Sequence, residues 1–99
     1  MIARIWRGWT RAEDVETYVG YVEKTGLSEY RNTPGNRGAW TLWRRAGARA
    51  EILTFSLWES RESIVGFAGE DIERAVFYPE DDRYLVDRKL TVDHYEVAG

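Results

Sequence analysis

The sequence has no cysteine, and that single absence closes several routes. Disulfide staples, thiolate nucleophiles and thiolate metal sites all need sulfur that is not there. Histidine is almost missing too, since His94 is the only imidazole. One histidine without thiols leaves only carboxylates for a metal, and the run Glu80-Asp81-Asp82 reads as a solvated stretch, so no metal site is expected. Long apolar runs are also lacking. The opening MIARIWRGW puts arginines where a signal peptide needs its apolar run, and no segment approaches the roughly 20 residues of a membrane-spanning helix. Nor is there an excess of one charge. The net charge is −3 with both signs interspersed, so no basic stripe suits nucleic acid and no polybasic segment suits a membrane surface. A cytoplasmic protein with neither of those partners is the expectation.

Aromatic residues are what the chain has in quantity: 14% of it, including five tryptophans. Its 99 residues predict a single domain spanning 1–99. A chain of that size buries roughly two-thirds of its unfolded surface, enough for one core. So many large rings must either fill that core or line a pocket or subunit interface.

The stretch Glu51–Pro79 organises the rest. Its first half alternates: Leu53, Phe55 and Leu57 form an apolar face, and Ile52, Thr54, Ser56 and Trp58 a mixed one. A face of hydroxyls and an indole, rather than charges, predicts a surface that looks into an enclosed but not dry space. Before it, Ile2–Trp9 reads as a first strand closed by Thr10, and Thr10 with Glu13 makes a capping-box pattern. Val15, Tyr18, Val19 and Val22 recur at helical spacing, with Gly26 as the helix stop. Leu27–Asn36 reads as irregular. Pro34-Gly35-Asn36-Arg37-Gly38 precedes a strand rather than a helix, so it is a turn and not a phosphate cradle. Gly38–Arg45 is a second strand, joined to the organising one by Ala46-Gly47-Ala48 as a hairpin. Ser60 caps a second helix with Ile64, Phe67 and Ala68 on one face, and Gly69 breaks it. Ile72, Ala75 and Val76 are expected to continue as a further helical turn or two. Glu80–Arg88 reads as mixed helix and loop, and Lys89–Val97 as the last strand.

The order is β-α-β-β-α-β, which predicts an α+β, ferredoxin-like domain with a four-stranded antiparallel sheet and both helices on one face. On this reading the other face carries Trp58, Ile52, one face of the last strand and a further tryptophan. A face that apolar predicts a second copy of the chain against it, a sheet-to-sheet homodimer.

Pro34-Gly35, the hairpin, Trp58-Glu59-Ser60-x-Glu62-Ser63-Ile64-x-x-Phe67 and Ile72-x-x-Ala75 together resemble the antibiotic biosynthesis monooxygenase (ABM) family. The resemblance runs from the first strand to the last. It implies ferredoxin-like subunits paired into a dimeric α+β barrel, and a hydrophobic, aromatic small molecule bound between sheet and helices. It also implies, for some members, oxidation of polycyclic aromatics by oxygen with no bound cofactor. Members that degrade haem use an Asn on the first strand and a His after an Ala on the second helix. Here the first strand has no Asn, Asn32 and Asn36 lie in the following loop, and Val76 follows Ala75, so haem degradation is disfavoured. Only the tryptophan has a counterpart, Trp58.

His94 titrates nearest neutrality and is the candidate base for a phenol proton; a structural histidine at the sheet surface is the other reading. Arg4 and Arg7 lie on opposite faces of the first strand, so one of them is expected to point inward, where it needs an anionic partner, either Glu96 or a ligand enolate. Tyr78 is a candidate donor to the developing oxyanion. Trp58, Trp6, Ser56, Thr54, Phe67 and Tyr95 are the candidate substrate contacts, with core packing as the competing role of each ring. A non-catalytic ligand-binding or sensor protein, or an isomerase or cyclase on the same barrel, is the alternative.

Overall fold

The computed structural model describes residues 1–99. Strand β1 (Ile2–Arg11) lies at the centre of an antiparallel sheet, with β3 (Arg49–Trp58) on one side. Beyond β3 lies β2 (Asn36–Ala46), and the tight β2–β3 hairpin turns at Gly47, whose φ of 66° suits glycine. On the other side of β1 lie β4 (Leu85–Arg88) and β5 (Asp93–Glu96). The order β2-β3-β1-β4 is that of the ferredoxin-like α+β fold read from the sequence.

The register decides which face each side chain takes. Ile2, Arg4, Trp6, Gly8 and Thr10 stand opposite Trp58, Ser56, Thr54, Ile52 and Ala50. These residues face the helices α1 (Val15–Val22), α2 (Ser28–Asn32) and α3 (Arg61–Ala68). Ile2, Ala50, Ile52 and Trp58 pack there with Val15, Tyr18, Val22, Leu27, Tyr30 and Ile64 in one core. The sequence reading put Trp58 and Ile52 on the open face, and the structure reverses it. Alternation separates two faces without saying which is inward. The mixed face can be buried because its polar atoms satisfy each other: the Trp58 indole donates to Ser56 Oγ at 2.9 Å. The open face instead carries the apolar row Leu53, Phe55 and Leu57, with Trp40 and Leu42 alongside on β2.

Three local expectations also change. Thr10 does not cap a helix: β1 runs on to Arg11, the Thr10 hydroxyl donates to Arg11 O, and a 3-10 turn, Ala12–Asp14, leads into α1. Gly26 does not stop the first helix. The chain passes through a π-helical turn, Glu23–Leu27, into α2, and that wider turn lets Val22 and Leu27, five residues apart, both reach the core. Ser60 does cap α3, accepting from Ser63 N, and Gly69 ends it at a φ of 81°. After Gly69, however, no helix forms around Ile72–Val76. The chain runs as an irregular strap, tied by Ala75 N to Leu90 O and by Val92 N to Glu73 O, before the short helix α4 (Asp81–Tyr84).

The last strand is divided. β4 pairs with Gly8–Thr10 and β5 with Ile2–Ile5. Between them the chain turns toward the strap, with Thr91 bridging Arg74. The Trp6 indole donates to Lys89 O at 2.8 Å where the ladder is interrupted. No helix of the chain is long and apolar enough to cross a membrane.

Candidate functional site

Between the sheet, the first helical arm and the strap lies a cavity of about 30 Å³. That is room for one or two water molecules. Trp6 and Thr54 form its sheet wall, Tyr18, Val22 and Tyr30 its helical wall, and Ala75–Tyr78 with Asp81 its outer wall. Trp6 reaches it because residue 8 is glycine. A Cβ there would stand 2.5 Å from the indole Cη2, so the ring lies along its own strand only over a bare backbone. Phe77 meets that indole edge-on, with centroids 6.2 Å apart.

One wall of this apolar space is charged. Asp81 is 4% exposed. It accepts from the Tyr18 hydroxyl at 2.9 Å and from the backbone N–H of Tyr78 at 2.7 Å. Burial first, and then the Asp81 charge, push the Tyr18 phenol far above its ordinary range, so it stays a proton donor. Tyr78 is shifted the same way by burial and by its hydrogen bond to Glu29, 2.6 Å long. The expectation that Glu80-Asp81-Asp82 is a solvated run therefore fails at its middle residue. The available signal was the spacing Tyr78-Pro79-Glu80-Asp81: an acid three residues past the head of a helical turn reaches back to the amide there, as the third-position acid of a capping box does.

A second cluster lies farther along the strap. Arg4 is 1% exposed, and its guanidinium donates to Ile72 O at 2.5 Å, to Arg74 O at 3.3 Å and to His94 Nε2 at 3.1 Å. It also stands 5.9 Å from the centroid of Phe67. No carboxylate pairs with it; strap carbonyls do that work. His94 must be neutral to accept from Arg4, which puts its proton on Nδ1, 3.4 Å from Glu73. Burial and then the Arg4 charge hold its pKa below the ordinary imidazole value, with Glu73 acting against them.

The structure sorts the sequence candidates into three places. Trp6, Thr54 and Tyr78 line the cavity. Arg4 and His94 meet each other under the strap, beside the cavity and outside its lining. Trp58, Ser56 and Phe67 belong to the core, where Tyr30 packs 4.3 Å from Phe67 and 5.9 Å from Trp58. Arg7 and Tyr95 are corrected: both stand on the open face, Arg7 3.2 Å from Glu51, so the sheet separates them from the cavity. No group of three His, Cys, Asp or Glu side chains is placed to hold a metal ion.

No protein-family model matches the chain, and no curated protein matches it. Solved structures do. A protein of Nitrosomonas europaea assigned as an antibiotic biosynthesis monooxygenase superposes with a TM-score of 0.64 at 13% identity, over 98% of each chain. One from Bacillus cereus with the same assignment gives a TM-score of 0.62 at 14% identity, over 99% of this chain and 93% of the other. The chain shares their fold. That is the fold the motifs around Trp58 and Ile72 pointed to, from β1 through β5.

Proposed function

We propose that the chain is an ABM-like, cytoplasmic protein that binds a small hydrophobic, aromatic molecule in the strap-covered cavity, and that it does so as a homodimer. The observation that carries the binding reading is the cavity wall, where nine of eleven residues are hydrophobic and Trp6, Tyr18, Tyr30, Phe77 and Tyr78 supply rings. A space of about 30 Å³ is smaller than any aromatic ring, so binding requires the strap to move outward. The strap is built for that: it has no helix, and carbonyl contacts to Arg4 and two ladder bonds hold it.

Oxygenation is the reaction favoured by the names of the two fold neighbours, and its running without a bound cofactor is what the family resemblance implies. With the strap displaced, Arg4 loses its strap carbonyls and turns from His94 Nε2 to the ligand; the freed Nε2 lone pair takes a phenol proton and the guanidinium balances the resulting enolate. The electron-rich ring carbon then bonds dioxygen and loses its hydrogen as the O–O bond breaks. One oxygen atom ends as a carbonyl. The other leaves as water with that hydrogen and the phenol proton returned by His94, the substrate supplying all four electrons. Oxygen-electrode measurements with polyhydroxylated aromatics test this. Uptake without added flavin, haem or metal, and insensitive to chelators, is expected. Binding without uptake would transfer the protein to the sensor reading.

A further inference from the structure

We infer that Asp81 is the anchor of the ligand site, and that the cavity selects a neutral phenol, seated with its hydroxyl on this carboxylate. The inference rests on the aromatic-ligand reading and goes further by naming the group recognised. Both Asp81 oxygens are held from behind, Oδ1 by the Tyr18 hydroxyl and Oδ2 by the Tyr78 amide. A carboxylate oxygen accepts about two hydrogen bonds, so each keeps one free position. None of the chain's ion pairs includes Asp81, and no Lys, Arg or His lines the cavity. An unfilled acceptor on a charged group in apolar surroundings is costly, and a ligand hydroxyl removes that cost.

The same arrangement rejects ligands by charge. An aromatic carboxylate would bring a second negative group to Asp81, and Arg88, stacked on Phe77 outside the lining, is already paired with Asp82. An aromatic ether fits the ring wall equally well but offers no proton to Asp81. Tyr18 and Tyr78 hold the carboxylate from behind, and the strap that carries Tyr78 must shift for a ring to enter. The competing role is purely structural, with Asp81 joining the strap to α1 through those two bonds.

Calorimetric titration of the full chain at pH 7 with phenol, anisole and benzoate separates these roles. Phenol is expected to bind about tenfold or more tightly than anisole, the difference of one charge-assisted hydrogen bond, and benzoate most weakly. Asp81→Asn should shrink the phenol–anisole ratio to within about threefold while anisole affinity holds. Tyr18→Phe, which keeps the carboxylate, should preserve the phenol preference, and it decides the matter if Asp81→Asn does not fold. Equal binding of phenol and anisole by the unaltered protein overturns the anchor and leaves aromatic binding standing. So does a ratio that persists in Asp81→Asn or vanishes in Tyr18→Phe. Failure of all three compounds to bind overturns the aromatic-ligand reading itself, and the anchor with it.

Discussion

Gly8 shows how one residue shapes the site from a distance. Its missing Cβ is what leaves room for the Trp6 ring. Gly8→Ala should lower stability by roughly 1–3 kcal/mol, the usual cost of overpacking, and weaken aromatic binding, because the indole must leave the cavity wall. Thermal melts and ligand titration on the one variant check both. His94 gives a second residue-level expectation. Its folded pKa lies below the unfolded value, so between the two the unfolded chain binds more protons. Stability should therefore be full above the ordinary imidazole value and fall as pH drops through it toward the folded pKa. His94→Gln should flatten that part of the melting-temperature profile; an unchanged profile would remove His94 as its source. At this scale the sequence was partly legible. Trp6, Thr54 and Tyr78 could be singled out by type, but Asp81 could not, because its burial depends on Tyr18, which lies 63 residues away along the chain.

Among the elements, the first three strands and the helices α1 and α3 could be read because each buries one periodic face, whereas α2 lies in a stretch that reads as irregular. The segment after Gly69 could not be read. It has no period of its own. Apart from two tight turns, Ile72 N to Glu70 O and Arg74 N to Asp71 O, its backbone is tied to Arg4, to Asp81 and to the chain around Leu90 and Val92. The divided last strand was hidden for a related reason: KLTVDHYEV alternates well enough for one strand, and the interruption comes from the strap pairing at Thr91. Arg4 is the test of the strap. Arg4→Met leaves the Ile72 and Arg74 carbonyls without their donor, and should speed amide exchange at Ala75 and Val92 by about tenfold or more, while amides at the β1–β3 pairing stay protected. Equal protection in the variant would mean that the guanidinium does not hold the strap.

For the whole molecule, topology was legible and orientation was not. The β-α-β-β-α-β order fixes the sheet, but which face of β3 turns to the helices depends on packing that alternation does not encode. The face left open carries Trp40 at 48% and Leu42 at 54% exposure, next to Phe55 and Leu53. Light scattering at low micromolar concentration should give about twice the chain's 11.5 kDa, and Leu42→Arg should return it to one copy without lowering its helix content. A stable single copy of the unaltered chain would leave those rings in water and end the dimer proposal.

The division of the last strand also limits how the chain can aggregate. A sheet grows into a fibril only if both of its edges offer continuous ladders. One edge here is β2, eleven residues long. The other is cut into two four-residue pieces with the Lys89–Val92 detour between them. Edge-to-edge joining through β2 therefore closes at a pair, and a third chain finds no unbroken template on which to extend it.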